Sequence, residues 1–110
     1  MAGDLLGPGD LVLCAGTVPA SGFVERAAAA AAAGFAGLSL FAADYERARA
    51  EGLSDADLRR VLRDHGLAVA ELDPLLSWLP AEERSGAGLS AEGRAFAAHG
   101  EDDFYAIAHA

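Results

Sequence analysis

The chain contains no lysine and only one cysteine among its 110 residues. Without lysine, neither Schiff-base catalysis nor a Walker-type phosphate-binding loop is available to it. Without a second cysteine, it forms no internal disulfide and no cysteine-based zinc cluster, which is typical of a reducing compartment, so we expect a cytoplasmic protein. Cys14 lies in an apolar segment with no histidine nearby in sequence, and we expect it to be a buried, unreactive thiol.

Basic residues are few: eight arginines stand against 17 acidic residues, and the formal net charge is -9. Because binding to phosphates needs a basic surface, this composition argues against a nucleic-acid partner. Long strongly apolar runs are also lacking. The uncharged run over residues 27–43 is mostly alanine and is interrupted by Gly34 and Gly37, so it falls short of the ~20 apolar residues of a membrane span. We therefore expect a soluble protein with no membrane partner.

Short apolar runs alternate with helical patterns along the chain. After a flexible lead-in at residues 1–9, the patterns predict strands at 11–15, 38–41 and 68–72, and helices at 21–33, 44–51, 54–65 and from Asp102 onward. Residues 80–100 are rich in Gly, Ser, Ala and Glu and are predicted to form a long connection with about one turn of helix near 90–98. Strands that alternate with helices predict a parallel sheet.

Capping residues support these helix boundaries. Ser21 is the predicted N-cap of the first helix, and Ser54 with Asp57 resembles a capping box at the start of the third. Asp55 is placed to pair with Arg59 one turn later. Glycines are the predicted stops of these two helices, at Gly34 before Phe35 and at Gly66 before Leu67. The recurrence after 32 residues is close to the ~30 residues of one βα unit.

Alternate residues of the predicted strands point to opposite faces of the sheet. One face is wholly apolar and is expected to lie under the helices: Leu11, Leu13, Leu38, Leu40, Ala68, Ala70 and Leu72. The other is mixed, with its polar residues toward the carboxyl ends of the strands: Val12, Cys14, Ser39, Phe41, Val69, Glu71 and Asp73. Because a β-bulge inverts such parity, the assignment depends on regular pairing.

Four segments, DLVLCAGTV, AAAAGFAGLSLF, LSDADLRRVLRDHGLAVAELDPL and DDFYAIAHA, resemble the sugar phosphate isomerase/epimerase family of xylose isomerase-like barrels. The resemblance covers roughly residues 10–79 and 102–110 and implies an α/β fold: the first three βα units of a TIM (β/α)8 barrel, with a parallel sheet and an incomplete barrel over residues 10–110. Eight units would need about 250 residues. We therefore expect the front part of such an enzyme, either a truncated product or one piece of a split protein.

The resemblance also implies a reaction. A divalent metal, held by Glu, Asp and His from later strands, binds a sugar-like hydroxy-ketone or aldose and polarises its carbonyl, while two carboxylates move a proton between adjacent carbons. None of those ligands can be assigned to this chain. We therefore expect no catalytic residue, metal site or cofactor within it, and no isomerase or epimerase activity from the chain alone.

Three residues are candidates for the substrate pocket of the parent enzyme. Glu71 is a carboxylate in an otherwise apolar strand, which is costly unless it is paired or lies at a barrel mouth; a structural ion pair or exposure at the strand end is the alternative explanation. Phe41 and Trp78 could line the pocket against the apolar face of a sugar, although core packing is the commoner role of such aromatics. Asp73, before Pro74, is expected to form a turn.

A non-catalytic role is the alternative. A small α/β module could bind a protein partner through its open sheet edges, because unpaired strand edges pair readily with other chains. The same edges would favour self-association.

Overall fold

The computed structural model describes residues 6–73 and 100–110. Its elements, in chain order, are β1 (Val12–Leu13), a 3-10 turn (Ala15–Thr17), α1 (Phe23–Ala32), β2 (Gly37–Leu40), α2 (Ala42–Ala50), α3 (Asp55–Asp64), β3 (Ala68–Leu72) and α4 (Glu101–His109). The three strands form one parallel sheet in the order β1-β2-β3. The described residues therefore form a small α/β domain with a three-stranded parallel sheet and four helices, as the alternation of patterns predicts.

Within the described residues the predicted strands and helices are all present, with small shifts at their ends. The third strand has the predicted bounds, whereas the first is only two residues long because Ala15 already belongs to the 3-10 turn. The first helix takes Gly22 as its N-cap, so the prediction of Ser21 is wrong by one residue. The Ser21 hydroxyl instead donates to the carbonyl of Val18 at 2.8 Å. The long connection predicted at 80–100 lies almost wholly outside the described residues.

Both predicted glycine stops are confirmed. Gly34 and Gly66 have φ values of +89° and +65°, a region in which a Cβ is strained. After Gly66, the N–H of Leu67 donates to the carbonyl of Leu62 at 2.9 Å, which completes a Schellman motif. Leu67 is then carried into the core.

The core lies between the sheet and its helices. Leu38 and Leu40 of β2 pack against side chains from α1, α2 and α3, and the buried cluster consists of Phe23, Ala27, Ala30, Leu38, Leu40, Ala48, Leu58 and Leu67. The alanines of α1 have no long side chains, so this helix lies close to β2 and buries Ala27 and Ala30 completely. The described helices therefore cover the Leu38 face of the sheet, and we call the other side the open face.

An irregularity in β3 corrects the predicted faces. Val69 pairs with Leu38, but Glu71 pairs with Ser39, so β3 has one extra residue, Ala70, at this point. Paired residues on neighbouring strands point to the same side of a sheet, which places Val69 on the helix side and Ala68 on the open face. The alternation of residues along the strand predicted the opposite side of the sheet for both residues. Beyond the bulge the prediction is confirmed, since Leu72 pairs with Leu40.

The open face is formed by small and polar residues near the centre of the sheet. Gly37 and Ala68 are paired on it, and a Cβ at Gly37 would lie 3.0 Å from a methyl carbon of Leu6, so Leu6 covers this position. Leu11, predicted to lie under the helices, directly precedes β1 and is 61% exposed. Among the described residues, no helix has the length and apolar character needed to cross a membrane.

Candidate functional site

The carboxyl ends of the three strands bring a group of polar side chains together. Ser39 is buried near the end of the central strand, and its hydroxyl accepts a hydrogen bond of 2.8 Å from the backbone N–H of Ala15, which follows β1. The same hydroxyl donates to the carboxylate of Asp73, which follows β3. One serine on β2 thus connects the ends of both neighbouring strands.

Asp44, in the first turn of α2, adds a buried carboxylate at this end of the sheet. Its Oδ2 accepts from the Arg26 guanidinium at 2.8 Å and from the N–H of Phe41 at 2.9 Å. The second contact caps α2, because it satisfies a backbone donor that the helix itself leaves free. We call Ser39, Asp44, Glu71 and Asp73 the strand-end cluster.

Arg26 supplies the positive charge beside the cluster. It lies on α1 with 1% of its surface exposed and forms a buried ion pair with Asp44. The guanidinium also donates to the Ser21 hydroxyl at 3.1 Å and to the carbonyl oxygens of Val18 and Ser21 at 3.3 Å each. Arg26 therefore fastens the segment after β1 to the start of α2, across the carboxyl edge of the sheet.

The sequence analysis missed this ion pair, although a signal was present. Arg26 lies three residues after Phe23 and next to Ala27, so a charged residue falls on the apolar side of α1. A charged residue on the apolar side of a helix is expected to have an oppositely charged partner, because an unpaired charge is rarely buried. The partner is 18 residues away in sequence, and its identity depends on how α2 packs on α1.

Asp73 is the carboxylate with the clearest electrostatic perturbation. Burial raises its pKa above the ordinary 3.8, and the nearby charges of Glu71 and Asp44 raise it further, whereas the hydrogen bond from Ser39 acts in the opposite direction. Its Oδ1 is buried and has no hydrogen-bond partner. Asp73 therefore keeps its proton to a higher pH than an exposed aspartate.

The structure places two of the three predicted substrate-pocket residues on the same side of the sheet. Glu71 is exposed and paired with Ser39, and Phe41 follows Leu40 at the end of β2. Phe41 is half-buried, with its Cζ 3.8 Å from the position that a Cβ would take at Gly16. Trp78 lies outside the described residues.

Cys14 differs from its prediction. It is exposed rather than buried, because β1 ends at Leu13 and the chain then turns over the edge of the sheet. A Cβ at Gly16 would lie 3.7 Å from its Sγ, so the thiol stands beside the same turn as the Phe41 ring. The thiol is accessible to reagents at the carboxyl edge.

The site was also tested as a possible metal centre. Across residues 6–73 and 100–110, no three His, Cys, Asp or Glu side chains converge in a way that could hold a metal ion. The described carboxylates do not form the ligand set that the family resemblance implies, so no metal-dependent step can be derived from them. What they offer is a charged, partly desolvated surface with one guanidinium and three carboxylates at the strand ends.

Comparison with known proteins does not extend this description. No protein-family model and no curated protein sequence matches the chain.

Proposed function

We propose that the described residues are the opening βα units of a xylose isomerase-like barrel of the sugar phosphate isomerase/epimerase family. In that proposal the parent reaction is metal-assisted proton transfer on a sugar or a related hydroxy-carbonyl compound. This chain supplies part of the barrel wall and of the substrate pocket. It has no isomerase activity by itself, because the family resemblance implies metal ligands on strands later than the third.

The observation that carries the proposal is the arrangement of the sheet. Its strands follow chain order, β1-β2-β3, and the helices of the described residues pack on one face. In a doubly wound sheet the strand order reverses and helices cover both faces, whereas a barrel wall has all its helices outside and its open face toward the lumen. A segment of barrel wall has this arrangement, which one βαβαβ half of a doubly wound sheet shares.

The position of the polar residues gives further support. Barrel enzymes carry their active sites at the carboxyl ends of the strands. Here Glu71 and Ser39 lie at those ends on the open face, and Phe41 follows at the same edge. In the proposed pocket Glu71 hydrogen-bonds to sugar hydroxyls and Phe41 packs against an apolar face of the sugar.

The proposal is tested by adding later βα units of a barrel to the chain. We expect the purified chain to elute as oligomers or as an expanded species, with slow amide exchange confined to β2. A second polypeptide that carries the later βα units of a xylose isomerase-like barrel should bind it and protect β1 and β3 from exchange, because both outer strands would then be paired. An unrelated α/β domain of equal size is the control. Protection of β1 and β3 in the chain alone, as a stable monomer, would contradict the proposal.

An activity assay provides a second, independent test. The chain alone, supplied with Mg²⁺ or Mn²⁺ and a panel of aldose and ketose phosphates, should show no interconversion above the buffer control. Turnover that is lost in Glu71→Gln would show that the chemistry lies within these residues and would overturn the placement of the active site on later strands.

A non-catalytic binding module is the second candidate. Leu11, Val12 and Val69 are exposed apolar residues on the two outer strands, and such strands can accept a strand from a partner protein. A stable monomer that captures an extended peptide along β1 or β3 would favour this function over the barrel.

A further inference from the structure

A cavity of about 660 Å³ lies on the helix side of the sheet and reaches the end of β3 at Glu71. It is bounded by β3, α3 and α4, and its volume falls within the ~300–1,000 Å³ of small-molecule sites. Most of its lining is apolar, with Leu58 and Leu62 from α3, Val69 and Leu72 from β3, and Phe104 and Ile107 from α4. The described wall of this cavity is therefore suited to an apolar molecular body.

The polar groups of the lining are mainly acidic. Asp55, Glu71 and Glu101 contribute three carboxylates, and Arg59 contributes one guanidinium. Arg59 is already engaged, because it donates a hydrogen bond to the carbonyl of Ala110. Asp55 forms an ion pair of 3.5 Å with Arg49 on α2, so the excess of negative charge in the lining is small and lies mainly at Glu71 and Glu101. The chain as a whole carries a net charge of -9. Charge complementarity favours a cationic head group over an anionic one.

Two tyrosines donate hydrogen bonds to carboxylates of the lining, and neither adds a positive charge. The Tyr45 hydroxyl donates to Asp55 Oδ1 at 2.7 Å, and this hydrogen bond raises the pKa of Tyr45 above 10.0. Tyr105 bonds in the same way to Glu101, which raises its pKa as well. Both phenols stay neutral at physiological pH and orient the carboxylates at the edge of the cavity.

We propose that this helix-side cavity binds an amphipathic amine, with the apolar body against Leu58, Leu62 and Phe104 and the protonated amino group beside Glu101 and Asp55. The amino group donates hydrogen bonds to the carboxylate oxygens, and the apolar body contacts the apolar lining of the cavity. This site does not depend on the proposed barrel function. Of the four residues of the strand-end cluster, Glu71 alone also lines the cavity, and the amino group is placed beside Glu101 and Asp55.

The test uses three soluble probes that share one apolar body: phenylbutylamine, phenylbutanol and phenylbutanoate. Titration of the full chain, followed by NMR shifts of the Leu58 and Ile107 methyl groups, should show saturable binding of the amine. We expect the alcohol to bind about 5-fold more weakly and the carboxylate more weakly still, since a partly exposed ion pair contributes up to ~1 kcal/mol. Equal or tighter binding of the alcohol or the carboxylate, or no saturable binding of the amine, would overturn the proposal.

Matched substitutions on α4 locate the site. Ala108 lines the cavity and Ala106 does not, so Ala108→Trp should abolish amine binding whereas Ala106→Trp should leave it unchanged. Equal effects of the two would refute the location. Circular dichroism checks that both variants keep their helices.

If Ala108→Trp fails to fold, a variant that removes one charge still tests the proposal. Glu101→Gln, an exposed substitution, should lower the affinity for phenylbutylamine about 2- to 5-fold and leave that for phenylbutanol unchanged. Asp102→Asn, its neighbour outside the lining, should have a smaller effect. An amine affinity that is the same in Glu101→Gln and in the unmodified chain would contradict the assigned head-group position.

Discussion

Arg26 shows how one side chain can organise the carboxyl edge of this sheet. Its guanidinium is buried on α1 and is shared between Asp44, the Ser21 hydroxyl and two carbonyl oxygens. These bonds satisfy the donors of a charge that would otherwise be costly to bury. They also join the segment after β1 to α2. The Arg26 guanidinium therefore fixes the position of the backbone and also compensates the charge of Asp44.

We therefore expect Arg26→Met to lower the free energy of unfolding by about 3–5 kcal/mol, because it leaves the buried Asp44 carboxylate without its main partner. Urea denaturation measures the loss. Arg47→Met is the matched control: Arg47 also contacts Asp44, at 3.4 Å, but its side chain is 41% exposed, so a loss of about 0–1 kcal/mol is expected. Similar losses in both variants would show that burial of the Arg26 pair is not the cause.

Asp73 should make stability depend on pH in a sense opposite to that of a salt-bridged aspartate. Burial raises its pKa in the folded state above the ordinary 3.8, so the folded protein holds this proton more tightly than the unfolded chain. The contribution of the protonated form is fully present below pH 3.8 and is lost as the pH rises through the folded-state pKa.

Asp73→Asn should therefore raise the free energy of unfolding at neutral pH, because it removes a desolvated charge near Glu71 and Asp44 while an amide oxygen can still accept from Ser39. The gain should disappear below pH 3.8, where the aspartate is protonated in both states. Urea denaturation across this pH range measures the difference. A gain that is constant with pH would show that the charge is not responsible.

At the scale of elements, the helices are terminated by one recurring device. Gly34, Gly52 and Gly66 each have positive φ, and the residue after each glycine donates back to the carbonyl five residues earlier. The residues that follow are Phe35, Leu53 and Leu67, and all three pack into or against the core. Each Schellman motif thus ends a helix and returns an apolar side chain to the sheet. Glycine followed by a large apolar residue is the local pattern behind the internal repeat.

The start of α3 is fixed by a reciprocal capping box. The Asp57 N–H donates to the Ser54 hydroxyl at 3.1 Å, and the Ser54 N–H donates to Asp57 Oδ2 at 2.9 Å. Ser54→Ala should lower the free energy of unfolding by about 1 kcal/mol, because the Asp57 N–H loses the hydroxyl that accepts its hydrogen bond. Ser54→Thr keeps the hydroxyl and is the control, with little change expected in thermal unfolding. Equal losses in the two variants would contradict the assigned role of the hydroxyl.

At the scale of the whole molecule, the described domain is one-sided. Helices cover the Leu38 face, whereas the open face carries Ser39, Glu71 and the Gly37 position covered by Leu6. The central strand is buried on both of its faces, but within the described residues β1 and β3 each pair only with β2, so their outer edges need further contacts. The proposed barrel function and the alternative binding module both follow from that need. The helix-side cavity lies between β3, α3 and α4.

Local interactions explain how far the sequence alone determined this protein. The alternation of strands and helices, the stops at Gly34 and Gly66 and the Ser54–Asp57 cap depend on residues within one turn of each other, and all were predicted. Asp55 is an exception, because its predicted partner Arg59 is on the same helix but the structure pairs it with Arg49 and Tyr45. Those partners reach Asp55 from α2.

Only the tertiary structure decided the features that join distant segments. The Arg26–Asp44 pair, the Ser39 bridge between strand ends and the exposure of Cys14 depend on which elements meet at the carboxyl edge. The bulge at Ala70 reversed the predicted faces of Val69 and Ala68, since parity along a strand carries no information about its register with a neighbour. Sequence determined the elements because their hydrogen bonds are local, and packing determined the site because burial and charge depend on neighbours from other elements.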